Sequence, residues 1–248
     1  MLASLRRFFS SHPAGPDLGG VADWAQRRGH QFKRSRDGDG LVIDGQLEGN
    51  PWRLEWGRPQ RAYIDGRELR LRIELALPSD LQMLLLSRPL LDQLERQTYE
   101  QFTESTQTQI GTTTPEEMRW LVMFPKVNLA ALPAIRAAFG AVASVPAAGL
   151  AWIEGPLANS LERAGEGLLK DSPPFVLMTM RNRGYLRVQL ATPTADAIAM
   201  ALELFETGVA QAIRSAGNHA DPGAEWAGSA SSAWQSLRPD DPADRKRR

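Results

Sequence analysis

Between Leu41 and Leu77 apolar and charged residues alternate with a period of two, broken only by Gly, Pro and Asp-Gly turn signals. A helix repeats every 3.6 residues and a strand every two, so this run reads as consecutive antiparallel strands with one buried face and one wet face. Its last strand is the clearest. Leu69, Leu71, Ile73, Leu75 and Leu77 should point into a core, with Glu68, Arg70, Arg72 and Glu74 on the opposite side. Earlier strands place Leu41, Ile43 and Leu47 on one face, then Trp52, Leu54 and Trp56 alternating with Arg53 and Glu55. Asn50 and Pro51 read as the turn between these two, Tyr63 and Ile64 as a short further strand, and Asp65-Gly66 as a hairpin turn.

Beyond the meander the pattern changes period. Leu81 to Leu86 reads as a fifth strand, and Ser87 with Pro89 as the cap and first turn of a helix reaching about Phe102. Thr114 and Glu117 have the spacing of a capping box for a short helix, after which Trp120 to Phe124 reads as a buried strand. A helix is expected over about Leu129 to Ala143, then an apolar element around Trp152 and a helix opened by Gly155-Pro156. Phe175 to Met180 and Tyr185 to Leu190 form a hairpin joined through Asn182, Arg183 and Gly184. Thr194 caps a helix whose Ile198, Ala201, Leu202, Phe205 and Val209 line one stripe.

Together these elements predict an α+β fold, an antiparallel β-meander plus a β-hairpin covered by helices. The organisation reads as a flexible N-terminus (1–20), a meander-plus-helix half (21–103), a connecting segment (104–117), an α+β half (118–216) and a disordered tail (217–248). The order strand, turn, strand, helix at 67–102 recurs at 174–214, either as a duplicated unit or through the commonness of that motif.

Composition narrows the function. With 248 residues and 42% hydrophobic content the chain can bury a core without staples. The 29 acidic and 29 basic residues cancel, so no field of one sign steers it to nucleic acid or an anionic membrane. Zero cysteines exclude disulfides, thiolate catalysis and cysteine-ligated metal centres. Of the basic residues 25 are Arg and four are Lys, a bias of GC-rich bacterial genomes. Arg6 and Arg7 interrupt the apolar residues at the start, leaving no signal-peptide core. The longest uncharged run, Ala137 to Ile153, is too short and too interrupted to span a bilayer. A soluble cytoplasmic protein is expected.

No short motif declares a chemistry. Asp37, Asp39 and Glu48 match positions one, three and twelve of a calcium loop, but Leu41 and Val42 stand where an oxygen ligand and the turn glycine are required. A strand-joining turn at Asp37 to Gly40 is the better reading. His30 is the one histidine outside the terminal segments and reads as an exposed residue before a strand; one histidine builds no multi-histidine metal site. The charged face of the meander, Arg53, Glu55, Arg70, Arg72 and Glu74, is the candidate polar surface. Its opposite charges suit cross-strand ion pairs better than base stacking or acid catalysis. In the tail, Trp226, Trp234 and Leu237 share a helical face and form a candidate interaction motif. The expectation is a non-enzymatic module that binds a protein partner or a small ligand, with no cofactor, metal or nucleic acid. The alternative is a cofactor-free hydrolase or transferase using Arg and carboxylate side chains.

Overall fold

The computed structural model describes residues 18–35, 39–104 and 114–219. Helix α1 (Gly19–Arg27) leads into β1 (Gln31–Arg34), and the alternating run folds as β2 (Leu41–Leu47), β3 (Asn50–Gly57) and β4 (Glu68–Glu74). Leu47 pairs with Asn50 across the first hairpin, which leaves Glu48 (φ 50°) and Gly49 (φ 83°) as a two-residue loop. Two left-handed residues in succession match the right-handed twist of the flanking strands. Asn50 and Pro51 therefore belong to β3 and not to the turn expected of them. Tyr63 and Ile64 form no strand either. They anchor the loop between β3 and β4 by burying their side chains, and Asp65-Gly66 bends that loop without closing a hairpin.

Next come β5 (Met83–Ser87), α2 (Arg88–Glu104) and α3 (Glu116–Met123). Residues Trp120 to Met123, expected as strand, are helical, and the Trp120 ring packs at a tilt against Phe124 with centroids 5.4 Å apart. The expected capping box does not form. α3 starts after Pro115 with no side-chain cap, because the Glu117 carboxylate is engaged elsewhere. The expected helix over Leu129 to Ala143 splits into α4 (Pro133–Ala138) and β6 (Phe139–Ala143). Alanine-rich sequence favours helix locally, but pairing along β5, from Met83 with Ala143 to Ser87 with Phe139, overrides that weak preference. Gly140 is needed there, since a Cβ on it would collide with Leu91 of α2.

The chain finishes with α5 (Pro146–Ile153), α6 (Pro156–Gly165), β7 (Phe175–Thr179), β8 (Arg183–Gln189) and α7 (Ala195–His219). Arg181 (φ 49°) and Asn182 (φ 61°) make a second two-residue turn, one position earlier than expected. Thr194 Oγ1 accepts the Ala197 amide at 3.2 Å and so caps α7 as anticipated. α7 continues through Gly217 to His219; the rest of the tail, with Trp226, Trp234 and Leu237, lies outside the described residues.

The eight strands of the described residues form one antiparallel sheet in the order β1-β2-β3-β4-β8-β7-β5-β6. The β7–β8 hairpin is inserted between β4 and β5. Hence 67–102 and 174–214 are not copies of one arrangement: β7 and β8 pair directly, whereas β4 and β5 do not.

One face of the sheet, the inner face, carries Leu54, Leu69, Leu71, Ile73, Phe175, Leu177, Leu186 and Val188 under α1, α5, α6 and α7. Trp152 of α5 donates its Nε1–H to Gly208 O at 2.9 Å, and Ser215 Oγ donates to Ala148 O at 2.8 Å, which fixes α5 against α7. On the outer face, Leu84, Leu86, Val142, Val176 and Met178 form a second core with Leu90, Leu91 and Leu94 of α2 and Met118 and Trp120 of α3. That cover ends at β7. Among the described residues no helix is long and apolar enough to cross a membrane.

Candidate functional site

Where the helical cover stops, the outer face becomes charged. The period-two alternation of β4 turns Arg70, Arg72 and Glu74 outward while Leu69, Leu71, Ile73 and Leu75 are buried. Strand register then brings the outward residues of four strands into rows. One row runs Asp44, Arg53, Arg72, Tyr185 and the next Val42, Glu55, Arg70, Arg187. The five residues singled out from the sequence, Arg53, Glu55, Arg70, Arg72 and Glu74, thus share one surface. β8 adds Arg183, Tyr185 and Arg187, which the local pattern of residues 183–189 shows as outward but does not place beside β4.

Register also sets like charges opposite one another, Arg53 facing Arg72 and Arg70 facing Arg187. Such cross-strand pairs are unfavourable unless anions separate them. For three of the four the protein supplies the anion. Arg53 forks onto Asp44, Nε to Oδ1 at 2.7 Å and Nη2 to Oδ2 at 3.3 Å. Those hydrogen bonds outweigh the opposing effect of its partial burial and set the Asp44 carboxyl below its ordinary value. Arg70 donates to Glu55 at 2.9 Å and to Glu68 at 3.1 Å, and Arg187 donates to Glu68 at 2.5 Å. Glu68 is fully buried and also accepts the Gln60 amide at 2.6 Å. A buried carboxylate is tolerable only when saturated in this way.

A second buried carboxylate sits at the boundary between the two coverings. Glu117 of α3 accepts from Arg61 Nε at 3.1 Å and from the Tyr63 hydroxyl at 3.0 Å, and Arg187 Nε lies 4.0 Å away. Burial, reinforced by the Glu117 charge, pushes the Tyr63 phenol well up. This group is structural in form, closing the loop between β3 and β4 onto α3. It was missed from the sequence because Glu117 fits a local cap signature and its partners lie 56 and 54 positions away.

Arg72 differs from its neighbours. It is exposed, and its side chain makes no hydrogen bond or ion pair with any described residue, whereas Arg53, Arg70, Arg183 and Arg187 each hold a carboxylate. It borders two hollows. A recess of about 420 Å³ is flanked by Asp44, Arg53, Glu74 and Arg183, and one of about 110 Å³ by Glu55, Arg70, Tyr185 and Arg187. Arg53 and Arg72 line both. Within the larger recess Asp44 is neutralised by Arg53 and Glu74 by Arg183 at 3.0 Å, so Arg72 contributes the surplus positive charge.

Other candidates are used up or lie elsewhere. Asp39 receives Arg67 Nη1 on its carbonyl at 2.6 Å and Arg67 Nη2 near its carboxylate at 3.3 Å; Asp37 is outside the described residues. No three acidic or histidine side chains converge as metal ligands among the described residues. His30, expected to be exposed, is partly buried between Trp24 and Trp52, with ring centroids 5.7 and 4.8 Å away. Burial, with the Arg28 charge, lowers its pKa.

No protein-family model and no curated protein matches the chain. A search of solved structures finds a likeness to the mycobacterial trehalose monomycolate transport factor A. It has 8% identity and a TM-score of 0.46, covering 78% of this chain and 92% of the other. A likeness of that degree leaves function to be read from this chain's own residues.

Proposed function

We propose that the protein is a non-enzymatic binding module that takes a small oxyanion-bearing ligand, a carboxylate or a phosphate, in the recess at Arg72. The observation that carries this reading is the unpartnered Arg72 guanidinium among arginines that are all neutralised. A planar guanidinium with five donors matches a carboxylate or phosphate in a fork. Arg53 and Arg183 stand beside it with side chains 41% and 52% exposed, within the same recess. A volume of about 420 Å³ is in the range of small-molecule sites and not of a broad protein interface.

Against the enzymatic alternative stands the engagement of the described carboxylates at this surface. Glu68 and Glu117 are wholly buried and saturated by donors, and Asp44, Glu55 and Glu74 are each held by an arginine. Calorimetric titration of the full chain with citrate and with inorganic pyrophosphate tests the proposal. Saturable binding of at least one should weaken about tenfold or more in Arg72→Gln, the worth of one charge-assisted hydrogen-bonded contact, and should weaken with added salt. Absence of saturable binding by either probe, or equal affinity in Arg72→Gln, would overturn it.

A further inference from the structure

On the inner face, remote from the charged surface, lies a second recess of about 220 Å³ between α4, α6 and the segment leading into β7. Its walls are apolar: Ile135 and Ala138 of α4, Phe139 at the start of β6, Leu161 of α6, and Leu169 and Pro173 from the following segment. The α4 wall is held in place by Arg88, whose Nη2 donates to the carbonyls of Arg136 at 2.7 Å and Phe139 at 2.6 Å.

Two hydroxyls line this recess, Ser172 at its exposed edge and Ser87 at its floor. Ser87, the last residue of β5, is 3% exposed. Its Oγ accepts the Phe175 amide at 3.2 Å, and its own O–H has no acceptor among the described residues. Expected from the sequence as a helix cap, the hydroxyl instead has a donor left over inside an apolar cavity. A buried polar hydrogen without a partner is costly, and an acceptor arriving from outside removes that cost.

We propose that this recess is a binding site for a small neutral molecule, an aromatic ring or a short branched alkyl group carrying one carbonyl or ether oxygen, which accepts the Ser87 hydroxyl. Size sets the first limit. An apolar cavity of about 150 Å³ holds benzene, so 220 Å³ admits a ring with a short substituent. Charge sets the second. Among the described residues of the lining the only charged side chain is Glu162, exposed at the mouth, which repels anions and leaves no cation to receive them. A ligand cation offers Ser87 no acceptor. The site is separate from the Arg72 recess and stands or falls independently of it.

Acetophenone, ethylbenzene and benzoate are suitable probes, because they share a ring and differ in the acceptor and the charge. Titrated into the full chain and followed through the methyl resonances of Ile135, Leu161 and Leu169, acetophenone should give saturable shifts. It should bind about fivefold tighter than ethylbenzene, the worth of one neutral hydrogen bond, with benzoate weakest. Ala138→Leu adds three carbons to the wall and should abolish saturation while methyl groups elsewhere keep their positions. Ser87→Ala should reduce acetophenone to the level of ethylbenzene. Both ligands are compared on the same variant, so any change in stability cancels from that ratio. No saturation with wild-type protein, binding that survives Ala138→Leu, an unchanged preference in Ser87→Ala, or benzoate binding best would each overturn the proposal.

Discussion

The outer face of this sheet is built in two ways. Over β7, β5 and β6 it is apolar and lies under α2 and α3; over β2, β3, β4 and β8 it is charged and carries no helix of the described residues. The strands are continuous and the inner face carries apolar residues on both sides of the boundary, so the sheet itself does not impose the difference. What changes is the outward residue at each alternate position. Val176 and Met178 of β7 stand beside Arg187 and Tyr185 of β8, and the change from a buried sheet to a wet one occurs across that single strand pair. A side chain that can be covered contributes by area, and one that cannot must be satisfied by charge or water.

Glu117 joins the two regions, because it belongs to the apolar cover yet accepts donors from the charged side. Removing it should therefore be the most damaging single change. Glu117→Ala leaves Arg61, Tyr63 and Arg187 facing an empty buried position and should cost about 3–5 kcal/mol in urea unfolding. A loss below about 1 kcal/mol would mean that the boundary is held by packing alone. The apolar region should respond next. Leu84→Ala, at a fully buried position of the second core, should cost about 3 kcal/mol, the usual transfer and cavity loss. A much smaller loss would show that α2 and α3 collapse onto the gap.

How much of this could be seen in the sequence follows from the range of the interactions. The alternation at Leu69 to Ile73 exposes both the strand and its two faces, because the period is local. The apolar run Met83 to Leu86 announces burial on both sides, and both faces are indeed covered. Its neighbours, β6 and β7, come from much later in the chain, and nothing local identifies them. Phe139 to Ala143 reads locally as helix for the same reason, since an alanine-rich segment becomes strand only by pairing along β5. At the charged surface the residues of β3 and β4 were visible and those of β8 were not grouped with them. The vacancy at Arg72 is invisible in one dimension, where Glu55, Glu68 and Glu74 look like enough carboxylates for Arg53, Arg70 and Arg72. Arg183 and Arg187 take two of those carboxylates.

A smaller effect concerns pH and the inner face near β1, where His30 lies between Trp24 and Trp52. His30 has a pKa lowered from its ordinary value near 6.5 by burial and by Arg28. On acidification the unfolded chain takes up its proton first, so the stability present above pH 6.5 is lost progressively as pH falls below it toward the folded value. Urea midpoints measured from pH 7 to 5.5 should decline, and His30→Phe should flatten that slope. An equal slope in the variant would place the titration elsewhere.

The smallest expected change in stability is also the one that separates the two regions most cleanly. Arg72 is exposed, has no partner among the described residues, and faces Arg53 across the strand pair. Arg72→Ala removes a like-charge contact and no attractive one, so stability should stay within about 0.5 kcal/mol of wild type or rise slightly. Arg53→Ala, one strand away, breaks the fork onto Asp44 and should cost about 1 kcal/mol, near the upper end for an exposed ion pair. Urea unfolding of both variants at low salt and at 0.5 M salt distinguishes them: the Arg53→Ala deficit should shrink with salt, and Arg72→Ala should show none to screen. If Arg72→Ala instead destabilises by more than about 1 kcal/mol, Arg72 is part of the sheet's own charge network. The recess would then have no surplus cation to offer a ligand.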